Sequence, residues 1–198
     1  MPLILPYQRL RNAGHPLQET LFLVIPHTSH KSYKQPHTKS LVFGEIAFLT
    51  SLCEPDYGYI TNFGKAHLEG FINIDGVIKA KTELYQWIIK NDKTLLINGE
   101  DKNQKKFYND KHIIFGCGEN FQFNFREKNN DFVNVLHDNY LFETKLYGTY
   151  NYSNVCAAIA LGLEFGIDKN QINQSLKNYQ PNNNRSEIIK IGDKRIVL

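Results

Sequence analysis

One short segment of the sequence gathers most of the side chains that could do chemistry. It reads ITNFGKAHLEGF, covers residues 60–71 and holds Asn62, Lys65, His67 and Glu69 within eight positions. An imidazole can bind a metal ion or act as a base, and a loop histidine can equally be hydrogen-bonded to the backbone. The residues alone therefore do not decide whether His67 has a functional role or a structural one.

Two lysines follow this segment on the next predicted helix. Lys79 and Lys81 lie in DGVIKAKTELYQWIIKN, residues 75–91, which has the spacing of an amphipathic helix. The apolar side of this helix is predicted to hold Val77, Ile78, Leu84, Trp87 and Ile88. Composition alone therefore predicts that both lysines belong to a solvated face together with Glu83.

The elements around the loop predict how these side chains are positioned. They are a short helix at 44–54, a strand entering the loop at 56–64, the helix at 75–91, a strand at 93–99, a polar helix at 101–109 and a strand at 111–118. Strands that alternate with helices at this spacing predict a parallel sheet with crossover connections. In such a sheet ligands gather at the carboxyl ends of the strands, which is where residues 60–71 fall.

The second half of the chain predicts a different pattern. Three aromatic-rich segments separated by turns predict a small antiparallel meander, at 121–127, 131–138 and 140–148. A helix is predicted at 151–165, closed by Gly166, and Asp168 is placed as the N-cap of another helix. A hairpin is predicted at 185–198, and its end inside an apolar strand leads us to expect a truncated chain. The predicted fold class is α/β, a mostly parallel sheet flanked by helices with a small antiparallel meander.

Charge, cysteines and hydropathy argue against several classes of protein. The net charge of +3 arises in residues 1–43, which hold five basic residues against one acidic residue, whereas the remainder is nearly neutral. No basic face therefore predicts a nucleic-acid partner. The three cysteines form no CxxC pair, and no apolar run reaches the roughly 20 residues of a membrane span or forms a signal peptide. We expect a cytoplasmic protein without membrane insertion.

Residues 1–43 differ in character from the rest of the chain. They contain four of the seven histidines and five of the seven prolines, with no helical or strand period that lasts. The four histidines lack the spacing of a metal site. We expect an irregular arm, and the alternative is a stretch out of register with an ancestral reading frame.

Three motifs resemble the Mur ligase family. ITNFGKAHLEGF with DGVIKAKTEL is similar to the family's central-domain signature, and GTYNYSNVCAAIALGLEFGI is similar to its G-x-H-N-x-x-N-x-x-A-A helix, with Tyr150 where many members have histidine. NNNRSEI is similar to its arginine segment, and the three motifs stand in family order within residues 44–198. The resemblance implies an arm outside the family at 1–43, an incomplete central domain at 44–183 and the start of a carboxy-terminal domain at 184–198.

The resemblance also implies roles for five residues. His67 and Lys81 correspond to catalytic, magnesium-binding positions, with Lys81 as a carbamate formed with carbon dioxide, and oxygen ligands are those that Mg²⁺ prefers. Asn151 and Asn154 correspond to residues that approach the adenine of ATP, where a carboxamide can both donate and accept. Arg185 corresponds to an arginine near the ribose and phosphates, and it can equally be a hinge salt-bridge partner.

The implied reaction is ATP-dependent amide formation. A carboxylate of UDP-MurNAc-tripeptide is activated as an acyl phosphate and attacked by the amine of D-alanyl-D-alanine, because the AHLEGF form looks like the member that adds this dipeptide. No GxxGK[ST] phosphate loop occurs in the sequence, and KQPHTKSLVF stands where the family has an acidic magnesium-binding segment. We expect the chain alone to bind ATP weakly or not at all. The alternatives are an inactive truncated remnant and another Mur or folylpolyglutamate-type amide ligase.

Overall fold

The structure is a computed structural model that describes residues 3–4, 22–25, 43–63, 74–117, 121–128, 132–180, 188–191 and 194–197. The chain divides into two compact units. The first comprises residues 1–97 and 101–112, and the second comprises residues 98–100 and 113–198. Residues 98–100, the first of which ends the strand Thr94–Asn98, therefore belong to the second unit, although the residues on both sides of them belong to the first.

Four neighbouring strands form the sheet of the first unit. They are β1 (Leu3–Ile4), β2 (Phe22–Ile25), β3 (Tyr57–Ile60) and β4 (Thr94–Asn98). β2, β3 and β4 are parallel, with Gly58 of β3 between Leu23 and Leu95, whereas β1 runs antiparallel to β2. Three successive residues are buried in β3 (58–60) and three in β4 (95–97). Because successive residues of a strand point to opposite faces of the sheet, this burial is expected for parallel strands that are covered on both faces.

Two helices belong to this unit, α1 (Glu45–Cys53) and α2 (Ile74–Lys90). α2 lies between β3 and β4 in the chain and buries Val77, Leu84 and Ile88 along one side. A Cβ atom added at Gly58 would lie 3.0 Å from Cγ1 of Ile88 and 3.3 Å from Leu84. Strand β3 and helix α2 therefore pack with almost no space between them. This close packing holds the side of α2 that carries Leu84 and Ile88 against the strand.

The second unit combines parallel and antiparallel strands. β5 (Ile113–Gly116) and β6 (Phe123–Asn124) pair in parallel, and β7 (Arg126–Lys128), β8 (Asn134–His137) and β9 (Tyr140–Phe142) form an antiparallel meander. The ring of Phe121 lies against two glycines, because added Cβ atoms would approach it to 2.5 Å at Gly99 and 2.8 Å at Gly116. This ring packs closely against the backbone beside β5.

The remaining elements of the second unit are helices α3 (Tyr152–Glu164) and α4 (Lys169–Asn178) and a hairpin of β10 (Ile188–Ile191) and β11 (Lys194–Val197). Asp168 caps α4 as predicted, since its side chain accepts a hydrogen bond from the Asn170 N–H at 2.9 Å. Gly166 follows α3 with a φ of 69°, which suits a glycine at a helix end. A Cβ at Gly162 would meet Cδ1 of Ile172 at 2.7 Å, so α4 approaches α3 closely.

The predicted α/β class is confirmed, with a mostly parallel sheet flanked by helices and a small antiparallel meander. The polar helix predicted at 101–109 is wrong, because only a 3-10 turn at Lys105–Phe107 forms there. The carboxylate of Asp101 accepts hydrogen bonds from the N–H groups of Asn103, at 2.8 Å, and Gln104, at 3.4 Å. Such side-chain to backbone bonds compete with an α-helix.

Strands β1 and β2 fall within the predicted arm, and the remainder of residues 1–42 lies outside the described residues. The domain boundaries at 43/44 and 183/184 stay predictions. None of the helices in the described ranges has the length and apolar character needed to cross a membrane.

Candidate functional site

The Lys81 side chain is buried at the carboxyl end of β3. It is 2% exposed, and its Nζ atom donates a hydrogen bond to the backbone carbonyl of Asn62 at 2.8 Å. Asn62 lies two residues beyond β3, in the segment that the sequence singles out. The prediction that Lys81 lies on a solvated face is therefore wrong, because the close packing of β3 against α2 covers this side of the helix.

The sequence carried a signal for this burial. Lys81 lies four residues after Val77 and three before Leu84, so it falls on the apolar stripe of α2 rather than beside it. Lys79, two positions earlier, is exposed, and its Nζ atom lies 5.5 Å from the centre of the Phe43 ring. The helical spacing therefore distinguishes the buried Lys81 from the exposed Lys79, whereas composition alone predicts the same solvated environment for both.

Burial changes the acid–base character of Lys81. Desolvation lowers the pKa of its ammonium group from 10.5 to about 8, because the charged form loses water that a single carbonyl replaces only in part. A larger fraction of this lysine is consequently the neutral amine near neutral pH than for a solvated lysine. The neutral amine is the form that can attack an electrophile.

Glu83 does not accompany Lys81 on a solvated face. Its two carboxylate oxygens accept hydrogen bonds from the backbone N–H groups of Gly44, at 2.8 Å, and Ala47, at 3.0 Å. These donors stand at the amino-terminal end of α1, where a negative charge also interacts favourably with the helix dipole. Glu83 therefore ties the start of α1 to α2.

A buried polar network lies beneath the same end of β3. The amide nitrogen of Gln104 donates to the Ile60 carbonyl at 2.9 Å, and its amide oxygen accepts from the Tyr85 hydroxyl at 3.1 Å. Gln104 and Tyr85 are fully buried, and burial raises the pKa of the Tyr85 phenol well above its usual value. Sequence reasoning missed this network, since a glutamine in a polar segment gives no sign of burial.

The residues predicted on the adenine side lie at the start of α3 in the second unit. The Asn151 side chain donates to the Tyr147 carbonyl at 2.7 Å, and Asn154 is exposed on the first turn of α3. Tyr150, beside them, is 63% exposed. His67 and Arg185 lie outside the described residues. Within the described ranges, no three His, Cys, Asp or Glu side chains come together as a metal site.

Comparison with known proteins assigns the chain to a family. The family model of the Mur ligase middle domain matches residues 40–162, more than half of the chain. The chain belongs to the Mur ligase middle-domain family. The matched range contains Asn62, Lys81, Asn151 and Asn154, so the family resemblance seen in the motifs is confirmed.

Individual Mur ligases show how far the likeness extends. The UDP-N-acetylmuramoyl-tripeptide–D-alanyl-D-alanine ligase of Bacillus subtilis (strain 168) is 28% identical over 152 residues, which are 74% of this chain and 33% of that ligase. The UDP-N-acetylmuramate–L-alanine ligase of Desulfitobacterium hafniense (strain Y51) is 30% identical over 161 residues, 72% of this chain and 35% of the relative. The chain thus spans about a third of the length of the relatives it matches.

Solved structures of Mur ligases share the fold. A MurF ligase from Thermotoga maritima, solved in complex with ADP, superposes with a TM-score of 0.62 and 20% identity, over 80% of this chain and 38% of that one. At this identity the likeness supports the fold. Because both a D-alanyl-D-alanine ligase and an L-alanine ligase match the chain, the family is shown and the particular Mur ligase is not.

Proposed function

We propose that this chain contributes the middle domain of an ATP-dependent amide ligase of peptidoglycan precursor synthesis, which joins D-alanyl-D-alanine to UDP-MurNAc-tripeptide. The relatives act on UDP-N-acetylmuramoyl compounds, and one related ligase was solved with ADP. The AHLEGF segment at residues 66–71 favours the D-alanyl-D-alanine-adding member over the others.

The buried lysine carries this proposal. The ammonium group of Lys81 first releases a proton to solvent. The neutral amine then attacks carbon dioxide, a C–N bond forms as one C=O π bond opens onto oxygen, and the nitrogen releases a second proton to solvent, so that a carbamate anion replaces the cation. The observations that fit are the burial of Lys81, its lowered pKa and its position at the carboxyl end of a parallel strand. A carbamate presents the hard oxygen donors that Mg²⁺ prefers. The imidazole of His67 is added to the ligand set by the family resemblance alone.

Each residue that the family resemblance singles out has a separate task within its own unit. The carbamate of Lys81 and the imidazole of His67 would hold Mg²⁺, which when bound neutralises negative charge on a transferring phosphoryl group. Asn154 would offer its exposed carboxamide to the adenine, with Asn151 holding the Tyr147 carbonyl and so shaping the turn before α3. Arg185 would contact the ribose and phosphates of ATP.

Carbon-13 NMR tests the lysine directly. With ¹³C-labelled bicarbonate, the wild-type chain should give a carbamate carbonyl resonance that disappears in Lys81→Met. Lys79→Met is the matched control, because Lys79 is an exposed lysine on the same helix, and it should keep the resonance. A resonance that survives in Lys81→Met would contradict the carbamate.

A chimaera tests the ligase function. Residues 44–180 would replace the matching segment of the Bacillus subtilis ligase, and ADP release that depends on D-alanyl-D-alanine would be measured with UDP-MurNAc-tripeptide. We expect activity that Lys81→Met largely abolishes and Lys79→Met preserves, with partial rescue of Lys81→Met by short carboxylates. An active Lys81→Met chimaera would rule out a catalytic role for this lysine.

A second candidate is a folded chain without catalysis. It is favoured by the sequence, because the 198 residues contain no GxxGK[ST] phosphate loop. In this case a correctly folded chimaera would release no ADP, and the carbamate resonance of Lys81 would be absent as well.

A further inference from the structure

A small pocket lies beside the antiparallel meander of the second unit. It has a volume of about 230 Å³, and its lining consists of Asn124, Arg126, Leu136, Asp138 and Asn139. Pockets for drug-sized ligands span roughly 300–1,000 Å³, so this smaller pocket suits a ligand of the size of a free amino acid. Four of the five lining side chains are polar, which directs attention to their charges and hydrogen bonds.

The backbone around this pocket is held in place by a hydrogen bond and a tight turn. The Asn124 carbonyl, at the end of β6, accepts a hydrogen bond from Nδ1 of His137, at the end of β8, at 2.9 Å. Asp138 and Asn139 form the two-residue turn between β8 and β9, with φ values of 47° and 61°. Aspartate and asparagine are preferred in hairpin turns that require such left-handed conformations. The two sides of the pocket are therefore fixed relative to each other.

Arg126 and Asp138 bring opposite charges to the pocket without pairing with each other. Among the described residues, the exposed Arg126 guanidinium has neither an ion pair nor a hydrogen bond. The Asp138 carboxylate is oriented through one oxygen, because Oδ2 lies 3.2 Å from Nε2 of His137 and 3.6 Å from Nζ of Lys169. Its second oxygen, Oδ1, has no such contact within the described part of the chain. The pocket therefore presents a cation and an anion that are separated by more than the length of an ion pair.

A ligand that carries one charge of each sign is complementary to this lining. A carboxylate can accept two parallel N–H bonds from the planar guanidinium of Arg126, and an ammonium group can pair with Oδ1 of Asp138. A simple anion, such as a phosphate ester, would face the Asp138 carboxylate, and a simple cation would face Arg126, so each loses affinity through like-charge repulsion. The pairing of both charges therefore favours a zwitterion.

We propose that this pocket binds a free α-amino acid with a short polar side chain. Arg126 binds the α-carboxylate and Asp138 binds the α-ammonium group. The carboxamide of Asn139 can donate and accept hydrogen bonds to the side chain, and Leu136 lies against its carbon atoms. The proposal goes beyond the proposed function, which assigns no role to these residues or to the meander.

The test is a titration of the full chain with L-serine, followed by two-dimensional amide NMR. Shift changes should centre on residues 124–126 and 136–139. The matched probes are glycerate, which has a hydroxyl in place of the ammonium group, and ethanolamine, which lacks the carboxylate. Each should bind about fivefold more weakly than serine, because one exposed ion pair is lost. Equal binding of the three compounds, or the absence of serine-induced shifts at these residues, would overturn the proposal.

Variants assign the two contacts separately. Arg126→Gln should weaken serine about fivefold without weakening ethanolamine, and Asp138→Asn, which keeps a residue suited to the turn, should weaken serine without weakening glycerate. Lys145→Gln is the control, because Lys145 is an exposed lysine of the same unit that does not line the pocket. An equal loss of serine binding in Lys145→Gln and Arg126→Gln would refute the site. If a variant failed to fold, the three compounds on the wild-type chain would still decide the proposal.

Discussion

The side-chain amide of Gln104 donates a hydrogen bond to the backbone carbonyl of Ile60 at 2.9 Å, across 44 positions of sequence. Both residues are fully buried, and Ile60 is the last residue of β3. Because Gln104 also accepts from the Tyr85 hydroxyl, it connects the carboxyl end of β3 to α2, which carries Lys81. The position of Lys81 relative to Asn62 therefore depends on a glutamine outside both elements.

Gln104→Leu should lower the free energy of unfolding by about 1–3 kcal/mol, because the Ile60 carbonyl and the Tyr85 hydroxyl lose a buried partner. Urea denaturation measures this loss. Gln86→Leu, at an exposed position of α2, is the control and should stay within about 0.5 kcal/mol of wild type. In a double-mutant cycle, strictly additive effects of Gln104→Leu and Tyr85→Phe would argue against the network.

Glu83→Ala should destabilise the chain by about 1–2 kcal/mol, because the N–H groups of Gly44 and Ala47 lose their acceptor at the start of α1. Hydrogen exchange gives a local measurement, in which the Ala47 amide should exchange faster while amides of β4 change little. Glu54→Ala removes an exposed carboxylate just after α1 and serves as the control. Unchanged exchange at Ala47 in Glu83→Ala would refute the capping role.

Lys81→Met should remove a pH dependence of stability. The folded-state pKa of Lys81, about 8, lies below its unfolded value of 10.5, so the unfolded chain binds more protons at pH values between these two. The wild type should therefore lose stability as pH falls from about 10 to 8, by up to roughly 3 kcal/mol. In buffer free of carbon dioxide, the stability of wild type minus that of Lys81→Met should rise from pH 8 to 10. A flat difference would mean that Lys81 is solvated.

His112 should make the first unit sensitive to acid. Its Nδ1 accepts a hydrogen bond from the Leu95 N–H at 3.4 Å, and burial, followed by the charge of Lys111, lowers its pKa. Because the folded-state pKa is depressed, the unfolded chain takes up a proton first. Stability should be full above the unfolded pKa of about 6.5 and fall as pH drops below it.

The measurement for His112 is urea unfolding at pH 5 and pH 8. His112→Asn retains an acceptor near the position of Nδ1 and cannot titrate, so it should lose less stability than wild type between pH 8 and 5. If wild type and His112→Asn responded equally to acid, the depressed pKa of His112 would be refuted.

Local sequence determined most of the regular structure. The apolar period of residues 74–90 and the cap at Asp168 depend on neighbours three or four positions away, so they are visible in sequence. The sequence predicts a helix at 101–109, but only the 3-10 turn at Lys105–Phe107 forms, because the Asp101 carboxylate competes for backbone N–H groups that a helix would use. Motifs in order along the chain were also sufficient to indicate the Mur ligase family.

The burial of Lys81 and its lowered pKa were decided only by the tertiary structure. Its place on the apolar stripe of α2 is a property of sequence, but a lysine there can reach water or become buried, depending on how closely the next layer approaches. Gly58 brings β3 against α2, and Asn62 supplies the carbonyl that receives the ammonium group. Desolvation depends on surrounding atoms from distant positions of the chain, so the lowered pKa that makes this lysine a candidate for chemistry cannot be read from its own segment.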